Sequence, residues 1–258
     1  MKVPITLLYY IGFFYSSQNL RISSNFRLQT SDLRLQAFVF FVLLPMPSIA
    51  DIRKEYKLQT LEEELVHINP FVQFGKWWNE AITASIDEVN AMTLATASAD
   101  GLPSARIVLL KGYDANGFVF FTNYDSFKGK QIEENPRACL VFFWKELERQ
   151  VRVTGIIKKI SAEASDEYYQ TRPVGSKIGA HVSPQSQVVE SRQWLTNREF
   201  ELLKQLEGEK IDRPSNWGGY CVQPVTVEFW QGRPNRLHDR IQYSLEGNGE
   251  WKIERLAP

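Results

Sequence analysis

Three side chains with basic character stand two residues apart near the C-terminus: Arg236, His238 and Arg240. Side chains two positions apart on a β-strand lie on the same face, so this spacing predicts one row of cationic groups. Such groups repel one another and resist burial, and a bound phosphate would relieve the repulsion. A solvated edge strand explains the same pattern equally well, because runs of charge usually face water.

A second candidate pair, Arg106 and Lys111, brackets four aliphatic residues in a predicted strand. Because the two cations are five positions apart, a regular strand would place them on opposite faces. They are therefore suited to two neighbouring anions, such as a cofactor phosphate and a substrate phosphate. The alternative is a buried strand with charged ends.

A third candidate lies where a predicted strand runs into a helix that begins after Ser126. The free N–H groups and the dipole at a helix start favour a phosphate, and Lys128 adds a positive charge there. Without other motifs, an ordinary connection between a strand and a helix explains this segment as well.

A fourth candidate consists of Tyr168, Arg172 and Ser176, spaced four residues apart. This spacing would place them on one face of a helix, although Pro173 favours a bend within the run. A phenol, a guanidinium and a hydroxyl can together hold one phosphate. A helix end packed on the domain is the alternative.

The composition excludes several other classes of site. The chain has 258 residues, 43% of them hydrophobic, and 30 basic against 30 acidic side chains, so no overall charge favours nucleic acid or a membrane surface. With two cysteines and three scattered histidines, no local motif predicts a metal site, and a reducing compartment such as the cytoplasm is expected. Redox chemistry would then require an organic cofactor.

The elements that must position these residues begin at about residue 49. Residues 1–48 differ in composition, and we expect either a targeting segment, such as a mitochondrial presequence, or a disordered extension. In the remaining domain, residues 49–258, short strands at regular spacing with inserted helices favour an antiparallel, mainly β barrel over a parallel sheet. Strands are predicted at 91–97, 105–112, 118–122, 137–144, 150–160, 219–229, 236–245 and 250–256, and helices at 70–85, 126–134, 161–171 and 190–207, with a further short one after a capping box at Thr60.

Taken together, residues 51–258 resemble the pyridoxine/pyridoxamine 5′-phosphate oxidase family. The long segment 228–240, Glu-Phe-Trp-Gln-Gly-Arg-Pro-Asn-Arg-Leu-His-Asp-Arg, fits the signature of that family. Segments that agree in order and spacing are 106–111, 147–150, 185–186, 217–219 and 255–258.

The resemblance implies an FMN-binding split β-barrel that forms a homodimer with two FMN sites at the subunit interface. Its partners would be a small phosphorylated substrate and dioxygen, with no nucleic acid, membrane or metal. The implied reaction is oxidation of the C4′ carbon of pyridoxamine or pyridoxine 5′-phosphate to pyridoxal 5′-phosphate. Dioxygen accepts the electrons through the flavin and is released as hydrogen peroxide.

The resemblance also assigns site residues. Those implied to bind the cofactor are Arg106, Ile107, Val108, Leu109, Leu110, Lys111, Phe121, Thr122, Lys128, Gln150, Gln185, Ser186, Trp230 and Arg240. Those implied to bind the substrate are Arg53, Tyr56, Lys111, Tyr168, Arg172, Ser176, Arg236 and His238. Arg236 and His238 would also be catalytic, and residues 53–56 resemble a lid that folds over the ligand.

One departure is Phe127, which stands where the family usually has an arginine, directly before Lys128. One expected phosphate contact is therefore missing, and this raises a non-catalytic protein that binds flavin or pyridoxal phosphate as an alternative. A flavin oxidase for a different small molecule is a third interpretation, although Lys111, Tyr168, Arg172 and Ser176 are all present.

Overall fold

The computed structural model describes residues 48–206 and 209–258. The chain divides into two compact units, Met1–Arg53 and Lys54–Pro258. The described part of the first unit, residues 48–53, contains a short 3-10 turn, Ile49–Asp51, whose N-cap is Ser48. The predicted extension, residues 1–48, lies outside the described residues except for Ser48.

The second unit is built on one antiparallel sheet, which the described residues form from nine strands. The strands are β1 Ala91–Ala97, β2 Pro103–Leu109, β3 Gly112–Asp114, β4 Gly117–Asn123, β5 Arg137–Trp144, β6 Arg149–Lys159, β7 Trp217–Gln231, β8 Asp239–Leu245 and β9 Trp251–Arg255. Their order is β2-β1-β5-β6-β7-β4-β3, and β8 joins β7 to β9. A mainly β antiparallel fold is thus confirmed. The path leaves β2 and β3 at its two ends, so these hydrogen bonds form an open sheet rather than a closed barrel.

The longest strand pair, β6 with β7, changes register between Thr154 and Gly155. A Cβ atom on Gly155 would lie 2.0 Å from the main-chain oxygen of Gln223, so the close approach of the two backbones requires glycine. A bulge of this kind bends a strand pair and increases its twist. The long β7 pairs with β6 along most of its length, with β4 through its first half and with β8 through its second half.

The described residues form five α-helices, one before β1, one between β4 and β5 and three between β6 and β7: α1 Pro70–Thr83, α2 Phe127–Glu134, α3 Ala162–Thr171, α4 Val174–Val182 and α5 Arg192–Gln205. The start of α1 follows the predicted Asn69-Pro70 pattern, since the Asn69 side chain accepts a hydrogen bond from the N–H of Phe71 at 2.8 Å. The helix predicted from the capping box at Thr60 is wrong. That segment contains a single 3-10 turn, Glu63–Leu65, because the Glu63 carboxylate that the capping box requires is paired with Arg255 on β9 instead.

Two hydrophobic clusters hold the unit together. In the larger one, α1 packs Phe74 against the sheet, with its ring centroid 5.0 Å from that of Phe118 and 5.2 Å from that of Phe142. The smaller cluster joins α3 and α4 to the start of β7 through Tyr169, Ile178 and Trp217. Fully burying side chains of this size contributes about 1.5–3 kcal/mol each, so both clusters fix their elements firmly. None of the described helices is long and apolar enough to cross a bilayer.

Candidate active site

A cavity of about 960 Å³ lies between β2, β4, the start of α2 and the bend from α3 to α4. The predicted site residues that line it are Arg106, Ile107, Val108, Leu109, Lys111, Phe121, Thr122, Lys128, Tyr168, Arg172, Ser176, Gln185 and Ser186. Phe127 and Trp217 line it too. The structure therefore brings the second, third and fourth sequence candidates into one site.

Arg106 is held by a relay of hydroxyl groups. Its Nη1 donates to Thr96 Oγ1 at 2.6 Å and its Nη2 donates to Ser104 Oγ at 2.5 Å. Both hydroxyls in turn donate to Oε1 of Gln131, at 2.6 and 2.5 Å. Because Thr96, Ser104 and Gln131 are all neutral, none of them compensates the positive charge of the guanidinium. Burial lowers the pKa of Arg106.

Gln131 is a site residue that sequence reasoning missed. It lies on α2, five positions after Ser126, and is buried. Its Nε2 has no hydrogen-bond partner among the described residues. A buried amide with one unsatisfied group normally requires a compensating role, and here its oxygen orients the hydroxyls that hold Arg106. A glutamine within a helix carries no motif that would have indicated this role.

Lys128 is buried at the start of α2 and donates to three neutral oxygens. Its Nζ lies 3.1 Å from Thr122 Oγ1, 3.1 Å from Gln185 Oε1 and 3.3 Å from Ser126 Oγ. Burial and the nearby charge of Arg106 lower the pKa of Lys128 to about 8. As predicted, Ser126 caps the helix here, accepting from the N–H of Gly129.

Arg172 follows α3 and lies over aromatic rings. Its guanidinium carbon is 4.4 Å from the ring centroid of Trp217, and burial lowers its pKa. Its Nη1 is buried and has no hydrogen-bond partner in the described part of the chain. The predicted bend is confirmed, because α3 ends before Arg172 and Pro173 precedes α4. This bend leaves Tyr168, Arg172 and Ser176 on the wall of one cavity.

An aromatic stack lies beside these cations. The rings of Phe121 and Tyr168 are 3.9 Å apart and nearly parallel, and Trp217 continues the stack 5.4 Å from Phe121. Phe121 belongs to β4 and Tyr168 to α3, so the stack connects the sheet to the helices that close the cavity. Flat apolar surface beside cations suits a ligand that has both rings and phosphate.

The charged side chains in the described lining of this cavity are all positive. Its described lining contains four cations, Arg106, Lys111, Lys128 and Arg172, and no carboxylate. Burial lowers the pKa of three of them, and one has an unpaired buried nitrogen. Uncompensated buried cations are unfavourable, and anionic oxygens would both neutralise them and accept their hydrogen bonds. The arrangement is suited to binding phosphate groups.

A second set of predicted residues lies outside this lining, where β7 ends. The rings of Trp230 and His238 are 4.7 Å apart, and Tyr56 contacts both, at 5.7 and 5.9 Å. The N–H of Arg233 donates to Nδ1 of His238 at 3.1 Å. Burial and then the charge of Arg236 lower the pKa of His238, which favours its neutral form.

The predicted strand face of Arg236, His238 and Arg240 is wrong. β8 begins at Asp239, and Arg236 ends a 3-10 turn, Pro234–Arg236, with a φ of 62°. Asn235 and Arg236 both have a positive φ, so the extended backbone of β8 does not continue back through them. Arg236 is exposed there.

Arg240 does lie on β8, but it is paired within the chain. Its Nε and Nη2 donate to the two carboxylate oxygens of Glu228, at 3.0 and 3.1 Å. Its Nη1 donates to the main-chain oxygen of Ala257 at 2.7 Å. This ion pair explains how its charge is accommodated without a ligand.

The remaining predicted residues have separate positions. Gln150 lies on β6 opposite Trp230 and therefore belongs with the second set. Leu110 is buried in the larger hydrophobic cluster, and its N–H and carbonyl are both bonded to Asn90. Arg53 belongs to the first unit, where its Nε donates to the carbonyl of Ala50. No metal-binding group of three His, Cys, Asp or Glu side chains occurs in the described ranges.

Comparison with known proteins gives consistent matches. Residues 78–200 match the family model described as pyridoxamine 5′-phosphate oxidase, and residues 217–258 match the one described as pyridoxine 5′-phosphate oxidase C-terminal dimerisation region. A pyridoxine/pyridoxamine 5′-phosphate oxidase of Nostoc punctiforme is 54% identical over 211 residues, which cover 82% of this chain and 99% of the relative. One of Paraburkholderia phymatum is 55% identical over 213 residues, covering 83% and 100%.

Solved structures agree with this fold. PhzG from Burkholderia lata, in complex with tetrahydrophenazine-1-carboxylic acid, is 29% identical, with a TM-score of 0.74 over 80% of this chain and 100% of that one. A pyridoxamine 5′-phosphate oxidase-related, FMN-binding protein from Nostoc punctiforme is 18% identical, with a TM-score of 0.60, covering 75% and 100%. The second likeness shows the fold alone.

Proposed function

Because this chain belongs to the pyridoxine/pyridoxamine 5′-phosphate oxidase family, we propose that it is an FMN-dependent oxidase that makes pyridoxal 5′-phosphate. Its substrates are pyridoxamine 5′-phosphate and pyridoxine 5′-phosphate. The amine, dioxygen and water give the aldehyde, ammonia and hydrogen peroxide, whereas the alcohol and dioxygen give the aldehyde and hydrogen peroxide. The enzyme would serve vitamin B6 salvage.

The observation that carries this proposal is the cationic lining of the large cavity, which contains no carboxylate among its described residues. Four cations exceed what one phosphate requires, so two phosphates fit the lining better than one. Lys128 and Arg106 form one cationic pair, since the charge of Arg106 lowers the pKa of Lys128. Arg172 lies on the bend between the two helices and belongs to a second region, which is the basis for two phosphate subsites.

The first subsite fits the phosphate of FMN. Arg106 and Lys128 would hold it, with Thr122 and Gln185 orienting the ammonium of Lys128. Ile107 to Leu109 would border the flavin. The bound flavin supplies a two-electron acceptor that dioxygen can reoxidise, while the protein binds and orients both reactants.

The second subsite fits the phosphate of the substrate. Tyr168, Arg172, Ser176 and Lys111 would hold it, and the unpaired Nη1 of Arg172 would gain an acceptor. Binding energy at a remote phosphate can position the reacting carbon. Arg236 would orient C4′, and His238, which is favoured in its neutral form beside Arg236, would provide a hydrogen bond without adding a like charge.

We also propose that the working form is a homodimer, a split barrel with FMN at the subunit interface. Gln150, Trp230, Arg236, His238 and Arg240 do not line the cavity of their own chain, and a second copy could bring them to it. β2 supports this proposal because its outer face is apolar and open, with Ile107 65% exposed. Exposed apolar faces usually mark interfaces, and the matched C-terminal region is described as a dimerisation region.

The test begins with the absorption spectrum of the purified protein, followed by oxygen consumption. Pyridoxamine 5′-phosphate should support turnover, and pyridoxamine without the phosphate should bind far more weakly. A flavin spectrum without oxygen consumption would favour the non-catalytic alternative. Faster turnover of tetrahydrophenazine-1-carboxylic acid, the ligand of the PhzG structure, would favour an oxidase for a different substrate.

A further inference from the structure

Glu148 is a carboxylate buried in the turn between β5 and β6, with 2% of its surface exposed. Its Oε2 accepts the main-chain N–H groups of Lys57 at 2.8 Å and Leu58 at 3.1 Å, which lie 91 and 90 residues earlier in the chain. Its Oε1 accepts a hydrogen bond from Nζ of Lys54 at 3.1 Å. One buried side chain thus ties residues 54–58 to the sheet.

The backbone around Glu148 is fixed without the help of its carboxylate. Its φ is 55°, a left-handed conformation that is unfavourable for a residue other than glycine. Its main-chain oxygen accepts from the N–H of Gly232 at 2.7 Å and from Nε2 of Gln231 at 3.3 Å. These bonds hold the turn in place, so a change of the side chain alone should leave the turn intact.

The segment bonded to Glu148, residues 54–58, places Tyr56 against the second set of site residues. A Cβ atom on Gly232 would lie 2.6 Å from Cγ of Tyr56, so the ring packs directly on this glycine. The ring also meets Trp230 and His238 edge-on. Tyr56 therefore covers one side of the pair formed by Trp230 and His238.

The carboxylate of Glu148 is in the charged form that this role requires. Burial alone would raise the pKa of Glu148, but the N–H groups of Leu58 and Lys57 and the ammonium of Lys54 together lower it. Hydrogen bonds to a charged acceptor are among the stronger ones in proteins.

We propose that Glu148 is a positioning residue for Tyr56: its carboxylate fixes residues 54–58 and so sets the position of the Tyr56 ring against Trp230 and His238. The consequence for catalysis rests on the proposed function, in which His238, beside the Tyr56 ring, binds the substrate. The structural part of the proposal, the tie between Glu148 and the segment, does not depend on that function.

The experiment compares Glu148→Gln in the full chain with Glu146→Gln. Glu146 is exposed in the adjacent 3-10 turn, so the control makes the same chemical change two residues away. Amide hydrogen exchange of Lys57 and Leu58 should be faster by about tenfold or more in Glu148→Gln, as expected for loss of bonds to a charged acceptor. The control should exchange as the wild type does. Unchanged exchange in Glu148→Gln would overturn the proposal.

Kinetics with pyridoxamine 5′-phosphate test the positioning role. A residue that only stabilises the fold would lower the active fraction and hence the apparent kcat, whereas loss of Tyr56 positioning should raise KM several-fold and leave kcat within about twofold. Faster exchange with an unchanged KM would overturn the positioning of Tyr56. If the wild type oxidises no pyridoxamine 5′-phosphate, the proposed function is wrong. The exchange comparison then still tests whether Glu148 holds residues 54–58.

A second variant covers the case in which Glu148→Gln does not fold. Lys54→Met removes the ammonium from Oε1 and leaves both N–H bonds to Oε2 in place. The Lys54 side chain is 56% exposed, so this protein should fold. We expect a smaller increase in exchange at the same two amides, and an increase elsewhere but not at these amides would contradict the proposal.

Discussion

Replacing Phe127 with arginine should tighten FMN binding. Phe127 lines the cationic cavity at the start of α2, next to the buried Lys128, and is 53% exposed. A charged hydrogen bond contributes about 1.5–3 kcal/mol net. At a half-exposed position solvent screening reduces this toward the surface range of about 0–1 kcal/mol. We therefore expect a gain of about 1 kcal/mol, or about fivefold in the dissociation constant.

The assay is a flavin fluorescence titration of the apo-protein at two salt concentrations. Phe127→Leu is the matched control, because it removes the ring without adding charge. The gain from arginine should shrink at high salt, since exposed charges are screened. The value of kcat at saturating FMN should change little. Equal dissociation constants for wild type and Phe127→Arg at both salts would refute the assignment of this corner of the cavity to the cofactor phosphate.

Three further results are expected. Arg236→Ala should cripple turnover while leaving the melting temperature nearly unchanged, because Arg236 is exposed; wild-type kcat/KM would contradict its assignment to the substrate. FMN affinity should weaken as pH rises through about 8, because free Lys128 has a pKa of about 8 and must be protonated to hold a phosphate; titrations at pH 7 and pH 9 should differ for the wild type and agree for Lys128→Met. Dilution below the dimer dissociation constant should release FMN and activity together, and an active FMN-bound monomer in light scattering would rule out a shared site.

The sequence by itself determined much of the fold and of the site. Alternation of apolar residues located the strands, and the cap at Asn69 and the cap at Ser126 located the starts of α1 and α2. These signals are local, since each depends on residues within a few positions of one another. The motif resemblance named many of the residues that line the cavity, including Gln185 and Ser186, which carry no pattern of their own, but it also named Gln150, Trp230 and Arg240, which do not line it.

The tertiary structure decided what depends on distant partners. The capping box at Thr60 failed because the carboxylate of Glu63 pairs with Arg255 on β9 rather than with the N–H of Thr60. The relay from Gln131 to Arg106 joins α2 to β1 and β2, and no local pattern indicates it. Arg236 lies outside the predicted strand because its own backbone and that of Asn235 are left-handed. Local propensity gives the elements, but burial and long-range hydrogen bonds select which side chains meet, and only the folded chain shows those contacts.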